Sequence, residues 1–318
     1  MLTSFRRFAL AIILVAAASM AMAVPVHAQT KINAGTVANF EGLLPLWAAE
    51  DLGYLKAANI EINMLDFVGG APAIQAFIGG SIDICFCAGD HVVRMRSRHF
   101  PAVFLYGFDN RHDYTLIGKK GLPTNIADLK GKPLGITSPG SMTDNTLRWE
   151  ISALKLNPET DYQLVAAGVG ASMIAAIDSG KVDAGMVVLM DRVHLLNEPS
   201  GRFAILKDYT SLPYASFSAL TTESWIKANP DVARALFDAF DKACADLKKD
   251  PEIAKRIIAK RIPTYSPELV DISAKNILSR IPDKGRYTDE EVKNLSDIMI
   301  AADPSLKPID PNVTQPKL

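Results

Sequence analysis

Two segments of the sequence match each other at a fixed separation of 100 residues. "GAPAIQAFIGGSIDI" begins at Gly70 and "GASMIAAIDSGKVDA" begins at Gly170. Each segment has the pattern of a short amphipathic helix, a glycine that can end the helix in the left-handed conformation, and a following strand. The identical positions are Gly70/Gly170, Ala71/Ala171, Ile74/Ile174, Ala76/Ala176, Gly80/Gly180 and Asp83/Asp183.

The match extends upstream and between these segments. "INAGTVANFEGLLPLWAAEDLG" and "KPLGITSPGSMTDNTLRWEISAL" each run from a strand through Gly35 or Gly135 into a polar loop and a helix. "IEINMLDF" and "DYQLVAAG" are each typical of the next strand. Strands that alternate with helices predict a parallel sheet wrapped by helices. Two copies therefore predict two α/β lobes, with ligands bound beyond the carboxyl ends of the strands.

The N-terminus predicts export. Arg6 and Arg7 precede an apolar run from Phe8 to Val24, and Val26 and Ala28 stand at the small-residue positions of a cleavage site. We interpret residues 1–28 as a secretory signal peptide cleaved near Ala28, which predicts a periplasmic protein. A retained membrane anchor is the alternative, because the apolar run is long for a signal peptide. No later apolar run approaches spanning length, so we expect the mature chain to be soluble.

Charge narrows the classes of partner. Removing residues 1–28 leaves 32 basic against 35 acidic side chains, a net charge of about −3. Such a balance is not the electrostatic footprint of a protein that binds nucleic acid or an anionic membrane.

Cysteine is scarce. Cys85, Cys87 and Cys244 are the only three, so the chain is not a disulfide-built scaffold. Cys85 and Cys87 are two apart in a strand-like run, near the upper limit of Cα separation for a disulfide. A metal pair is conceivable, but neither histidine nor further cysteine follows at a metal-site spacing. We therefore expect small buried core residues, no metal and no cofactor.

Several segments, in order along the mature chain, resemble one protein family. They are "LPLWAAEDLGYLKAANIEINML", "QAFIGGSIDICFCAGD", "NIADLKGKPLGITSPGS" and "AAIDSGKVDAGMV". Their succession is similar to that of the bacterial extracytoplasmic solute-binding proteins of the nitrate, sulfonate and taurine group. That group includes relatives that bind thiamine-pyrimidine precursors.

The resemblance implies the type II periplasmic-binding-protein fold: α/β, two lobes, each a mainly parallel sheet flanked by helices, and a two-strand hinge. Lobe one would comprise residues 29–117 and, as a return segment with C-terminal helices, 215–318; lobe two would comprise 118–214. The resemblance further implies the periplasmic substrate-binding component of an ABC importer. Its partners would be a small organic solute and the inner-membrane permease. We expect a monomer.

The resemblance also places a ligand site in the cleft between the lobes. Three loops of each lobe would face it: 38–43, 68–71 and 88–91 in lobe one, and 138–143, 168–171 and 189–192 in lobe two. The predicted ligand-binding residues are Asn39, Phe40, Glu41, Gly70, Ala71, Asp90, His91, Ser138, Gly140, Ser141, Thr143, Gly170, Asp191 and Arg192.

The chemistry of these residues leaves the ligand open. Gly140, Ser141 and Thr143 offer amide N–H groups and hydroxyls at a helix start, which suits a carboxylate or sulfonate; an ordinary helix cap is the alternative. Glu41 and two aspartates, Asp90 and Asp191, would repel an anion unless Arg192 or His91 compensates. These acids suit a ligand with amine or ring N–H donors, and Phe40 could stack on a ring.

No catalytic residue is predicted, because the sequence lacks a nucleophile elbow, a phosphate-binding loop and a zinc-protease motif. One alternative is a pyrimidine-biosynthesis-type enzyme on the same fold, of whose cysteine-rich motif "ICFCAG" is a faint echo. The other is an extracytoplasmic ligand-sensing protein, which would need a fused signalling segment.

Overall fold

The computed structural model describes residues 29–36, 39–67 and 70–318, with the side chains of Gly70 and Ala71 left out. The predicted signal peptide, 1–28, lies outside the described residues, as do positions 37–38 and 68–69 of the predicted cleft loops. Across the part of the chain that is described, no helix is both long and apolar enough to cross a membrane.

Three successive stretches of chain build the molecule. The first contains β1 (Thr30–Thr36), a 3-10 turn (Glu41–Leu43), α1 (Leu44–Asp51), α2 (Tyr54–Ala57), β2 (Ile60–Asp66), α3 (Gly70–Ile78), β3 (Ile84–Ala88), α4 (Asp90–Ser97) and β4 (Ala102–Arg111). The second contains β5 (Thr115–Lys119), a 3-10 turn (Ile126–Leu129), β6 (Pro133–Ile136), α5 (Met142–Ala153), β7 (Gln163–Ala166), α6 (Ala171–Ser179), β8 (Ala184–Val187), α7 (Leu189–Leu196) and β9 (Phe203–Asp208). The third contains β10 (Pro213–Thr222), α8 (Glu223–Ala228), α9 (Pro230–Lys249), α10 (Pro251–Arg261), α11 (Pro267–Leu278), a 3-10 turn (Asp283–Gly285), α12 (Asp289–Ala302) and α13 (Pro311–Thr314).

These strands form two five-stranded sheets. The first has the order β2-β1-β3-β10-β4 and the second the order β7-β6-β8-β5-β9. In each sheet one strand runs against the others, β10 in the first and β5 in the second. The predicted fold class, two lobes with mainly parallel sheets flanked by helices, is confirmed. The chain passes between the sheets at 112–114 and 209–212, while the lobe limits 117/118 and 214/215 stay a prediction.

The repeat seen in the sequence is also a repeat of strand register. Ala34 pairs with Ile84 in the first sheet, and Leu134 pairs with Ala184 in the second. Gly80 and Gly180 both have positive φ, at 73° and 78°, where α3 and α6 end. The left-handed helix ends predicted from the repeat are therefore present at both sites.

A second pair of glycines lets a helix or a neighbouring side chain approach each sheet closely. A Cβ at Gly35 would lie 2.6 Å from Ile82 Cδ1, and one at Gly135 would lie 2.7 Å from Met173 Sδ. Any larger residue at either position would collide with the packed side chains above the strand.

The C-terminal helices complete the core of lobe one. Pro251 and Pro267 open α10 and α11, and Thr288 caps α12 in a capping box with Glu291. The apolar stripe of α9 packs with α1 and the first sheet in one cluster; its buried members are Leu236, Phe240, Ala243, Cys244 and Leu247.

Cys85 and Cys87 are fully buried on one face of β3, as expected of core residues. The structure also joins them in a disulfide, which the strand geometry had disfavoured. Their Cα atoms are 5.3 Å apart, closer than the ~6.6 Å that two residues of a regular strand span. Local contraction of β3 therefore brings the pair into disulfide range.

A buried arginine holds the point where the chain first crosses between the lobes. Arg280, 4% exposed, donates through Nε to Asp109 Oδ1 at 2.9 Å and lies 3.0 Å from Asp113 Oδ1. Its guanidinium also donates to the backbone oxygens of Arg111 and His112. Arg280 thus neutralises two aspartates and fixes the backbone of the crossing segment.

His112 lies in the same crossing segment and links it to lobe two. Its Nδ1 accepts from the backbone N–H of Tyr114, so the ring proton is on Nε2, which donates to Thr146 Oγ1 at 2.7 Å. The amide of His112 donates to the backbone oxygen of Leu212, which ties the two crossing segments together. Burial, and then the charge of Arg280, lowers the pKa of His112 to about 3.

We expect Arg280→Met to lower the free energy of unfolding by about 3–5 kcal/mol, because it leaves Asp109 and Asp113 buried without their cation. Urea unfolding followed by circular dichroism measures this. Arg202→Met is the matched control: Arg202 is half-exposed and pairs with Asp178 at the surface, so its loss should cost under ~1 kcal/mol. Equal stability of the two variants would contradict the assignment.

We expect His112 to destabilise the protein as the pH falls below about 6.5, the ordinary histidine pKa, whereas the raised pKa of Asp109 acts in the opposite direction. His112 is neutral in the folded state down to a pKa of about 3, so the unfolded state binds the extra proton over that interval. Its contribution is a loss of up to ~1.4 kcal/mol per pH unit. Urea unfolding at pH 6.5, 5.5 and 4.5 measures the slope, which should be shallower by this amount in His112→Gln. Identical slopes would refute the effect.

Candidate functional site

The predicted cleft loops follow the carboxyl ends of corresponding strands in the two sheets. Two contacts show that these loops face each other. Arg94 of α4 donates through Nη2 to the backbone oxygen of Gly140, after β6, at 2.5 Å. Ser273 of α11 donates to Met190 Sδ of α7 at 3.3 Å. The lobes therefore meet at both of these places, and also where α5 packs on α12 and Asn145 donates to Met299 Sδ at 3.1 Å.

On the lobe-one side, the loop after β1 contributes a buried acid. Glu41 is 8% exposed, and its Oε2 accepts a hydrogen bond from the Tyr265 hydroxyl at 3.0 Å. Burial raises the pKa of Glu41 above its ordinary value. Phe40 packs edge-on against Phe217 with ring centroids 5.0 Å apart, and Asn39 donates to the Arg261 carbonyl. Both neighbours therefore already have partners within lobe one.

The loop after β3 contributes a second acid. Asp90 is the first residue of α4 and is 3% exposed, yet its Oδ1 has no hydrogen-bond partner among the described residues. Tyr214 of β10 is fully buried, and its hydroxyl likewise has no partner within the described chain. Burial, and then the charge of Asp90, raises the pKa of Tyr214. His91, next to Asp90, is half-buried.

On the lobe-two side, the loop after β6 satisfies its own polar groups. Thr143 is buried, and its Oγ1 accepts from Thr137 N at 2.9 Å and lies 2.8 Å from Ser141 Oγ. Ser141 is the N-cap of α5, where its hydroxyl accepts from the amide of Asp144. The alternative of an ordinary helix cap is therefore realised, and direct ligand contact by Ser141 or Thr143 stays a prediction.

The Gly140 amide of that loop is also occupied. The N–H of Gly140 donates to Asp144 Oδ2 at 2.6 Å, and Asp144 Oδ1 accepts from Arg148 Nε at 2.7 Å. Asp144 is 3% exposed. A carboxylate of the protein itself thus sits where an anionic ligand was expected to meet the helix start. Ser138, just before this turn, is exposed.

The other lobe-two loops bring a glycine and an acid together. Burial raises the pKa of Asp191 above its ordinary value. The Gly170 amide donates a hydrogen bond to Asp191, which opposes this shift without cancelling it. Arg192 turns away from Asp191: its Nη1 donates to Thr115 Oγ1 at 3.2 Å and to Asp208 Oδ2 at 3.3 Å. From the sequence, Arg192 was considered as a cation that could compensate the cleft acids. Among the described contacts, it does not pair with any of them.

Gly70 and Ala71 lie in the first turn of α3, and their side chains are not described. For the set of fourteen as a whole, ligand contact stays a prediction.

Four further residues belong to this region but were missed in the sequence: Arg94, Tyr114, Tyr214 and Tyr265. Tyr114 lies within electrostatic reach of Asp113, Asp90 and Asp191, whose charges add to burial in raising its pKa. Tyr114 and Tyr214 lie outside the repeated segments, so the repeat does not point to them. Tyr265 is 224 residues from its partner Glu41, and no local pattern links the two.

The cleft carries an excess of negative charge. No ion pair of the described residues includes Glu41, Asp90 or Asp191. Two of the nearby cations pair with other acids, since Arg280 binds Asp109 and Asp113 and Arg192 binds Asp208. Arg94 contacts the neutral Gly140 backbone oxygen and Asn145 Oδ1, so one guanidinium stands against the three acids. Within the described ranges, no three His, Cys, Asp or Glu side chains are grouped so that they could hold a metal ion.

Comparison with known proteins agrees with this architecture. The profile of the NMT1/THI5-like family matches residues 41–254. The 4-amino-5-hydroxymethyl-2-methylpyrimidine phosphate synthase THI13 of Saccharomyces cerevisiae is 23% identical over 223 residues, which cover 65% of this chain and 64% of that protein. The nitrate import ATP-binding protein NrtC of Synechococcus elongatus is 28% identical over 153 residues, 48% of this chain and 22% of NrtC. The chain thus matches less than two thirds of each curated relative.

Among solved structures, the periplasmic aliphatic sulphonate binding protein SsuA of Escherichia coli superposes with a TM-score of 0.71 at 18% identity. The superposition covers 90% of this chain and 92% of SsuA. At this identity the similarity shows that the two share a fold.

We expect Asp144→Asn to lower the free energy of unfolding by about 1.5–3 kcal/mol, because the charged acceptor of the Gly140 amide and of Arg148 is lost. Amide hydrogen exchange at 138–143 should speed up in this variant. Asp178→Asn is the control, since Asp178 is half-exposed and pairs only with Arg202 at the surface. Unchanged exchange in the loop would show that Asp144 does not order it.

Proposed function

Because this chain belongs to the NMT1/THI5-like family, we propose that it is the periplasmic solute-binding component of an ABC importer and binds a small organic solute between its lobes. The observation that carries the proposal is the arrangement of the lobes. Two α/β sheets present loops to each other across a cleft, and the chain passes between the sheets at 112–114 and 209–212. Such a molecule can close around a ligand by rotation at the crossings.

The interlobe contacts suggest how a transporter would recognise the closed form of the protein. Arg94 to Gly140 and Ser273 to Met190 each join lobe one to lobe two and can form only when the lobes are together. A solute that binds both walls favours that state over an open one by its differential affinity. The importer can therefore distinguish loaded from empty protein by shape.

The known relatives support a choice of solute classes rather than one solute. Their names refer to sulphonate binding, to nitrate import and to synthesis of a pyrimidine phosphate. We propose an organic solute of carboxylate, sulfonate or aromatic and pyrimidine type. Export through the signal peptide at 1–28, a monomeric state and an inner-membrane permease as partner belong to the same proposal.

A second candidate is favoured by one observation. The similarity to the yeast pyrimidine phosphate synthase covers 223 residues and suggests an enzyme on the same fold. An enzyme would convert the bound molecule, whereas a binding protein returns it unchanged. Mass spectrometry of a solute released from the protein, together with the iron content of the purified protein, separates the enzyme from the binding protein. A converted product would favour the enzyme. A sensing role is the third candidate and would require a signalling partner.

We expect a solute from a panel of sulfonates, nitrate, aromatic acids, amines and pyrimidines to raise the melting temperature. At one hundred times its dissociation constant, a ligand adds about 2.7 kcal/mol of stability. The same solute should lower the radius of gyration in X-ray scattering, because the lobes close.

The control for this experiment is a panel member that leaves the melting temperature unchanged; it should also leave the radius of gyration unchanged. A solute that binds tightly in calorimetry without compacting the protein would contradict the binding-and-closure mechanism.

A further inference from the structure

We propose that the cleft selects solutes with a protonated amine or amidine group, and that this cation is what allows the lobes to close. The inference rests on the proposed solute-binding function and narrows it, because it favours nitrogen-bearing aromatic and pyrimidine solutes over the carboxylates and sulfonates of that proposal. The contacts of the cleft side chains support it.

The features that would attract an anion are already used by the protein. The Gly140 amide donates to Asp144, and the hydroxyls of Ser141 and Thr143 bond within their own loop. Arg94 donates to the Gly140 backbone oxygen and lies 3.5 Å from Asn145 Oδ1. An anionic ligand that bound the Gly140 amide would therefore have to displace the internal carboxylate of Asp144 from it.

The features that would attract a cation are unsatisfied. Asp90 is 97% removed from solvent, and Oδ1 has no partner within the described chain. Tyr214, also buried, leaves its hydroxyl unpartnered close enough for Asp90 to influence it electrostatically. Buried polar atoms are nearly always hydrogen-bonded in folded proteins, because an unpaired one costs about 1–3 kcal/mol and a charged one more. A nitrogen donor bound here would supply the bond that Asp90 lacks.

The acids stand on both walls of the cleft. Asp90 and Glu41 belong to lobe one and Asp191 to lobe two, and Tyr114 lies in the field of Asp90 and Asp191 at once. When the lobes approach, these like charges approach too, and their repulsion opposes closure. A ligand cation between the acids turns this repulsion into attraction. The charge of the ligand thus supplies the differential affinity for the closed state.

The test uses pairs of probes that share a carbon skeleton and differ in the charge of one end group, or of both end groups in the last pair: benzamidine against benzoate, phenethylamine against phenylacetate, and 1,4-diaminobutane against succinate. Calcium chloride is added as a separate arm. We expect only nitrogen cations to raise the melting temperature of the wild-type protein and to lower its radius of gyration. Calorimetric titration then gives the dissociation constant of the best cation.

Asp90→Asn keeps the shape of the side chain and removes its charge. We expect it to weaken binding of the best cation at least tenfold, which is the loss of one charge-assisted hydrogen bond. The melting temperature of the free variant should not fall, because Oδ1 has no partner to lose in the described structure. Asp178→Asn, at the surface of lobe two, is the matched control and should bind like wild type.

Several outcomes would overturn the charge assignment: stabilisation by benzoate, phenylacetate or succinate, stabilisation by calcium alone, unchanged affinity in Asp90→Asn, or no stabilisation by any of the three nitrogen cations. Compaction by an anionic solute would overturn this inference and leave the solute-binding role standing. Binding without compaction by every solute would instead count against the proposed function.

Discussion

The whole molecule depends on the charge interaction between Arg280 and the two aspartates, Asp109 and Asp113. Arg280 follows α11, whereas its partners lie at the end of β4 and in the first crossing between lobes. One side chain therefore joins the C-terminal helices to the first of the two crossings between the lobes. Burial raises the pKa of Asp109 to about 6, and the adjacent guanidinium opposes that shift. Arg280 holds the backbone of this crossing through Arg111 and His112, so the proposed closure would be a rotation around it.

The fold could be predicted because the sequence contains it twice. Gly35 and Gly135 mark equivalent strands, and Gly80 and Gly180 end equivalent helices, so local constraints repeat where the architecture repeats. Pro251, Pro267 and Thr288 similarly mark helix starts by their backbone chemistry. These signals act within a few residues of where they stand in the chain, which is why a sequence can disclose them.

The candidate site was less predictable because its decisive contacts are long-range or competitive. Tyr265 reaches Glu41 across 224 positions, and no periodicity carries that information. Asp144 competes with any ligand for the Gly140 amide, and only coordinates show that the internal carboxylate has taken it. Arg192 had two possible acidic neighbours, and the structure places it on Asp208. Residue types alone thus identified the loops of the candidate site but not the hydrogen-bond and ion-pair partners of their side chains.

The position of β10 inside the first sheet has a consequence for biosynthesis. β10 separates β3 from β4 and hydrogen-bonds both, although more than a hundred residues intervene. The second sheet, in contrast, is built from the contiguous stretch β5 to β9. A chain that emerges from its N-terminus can complete lobe two while β3 and β4 still present unpaired edges to water. Lobe one is then the lobe that folds slowly and is prone to aggregation in the meantime. The exposure of its strand edges ends when β10 pairs with β3 and β4.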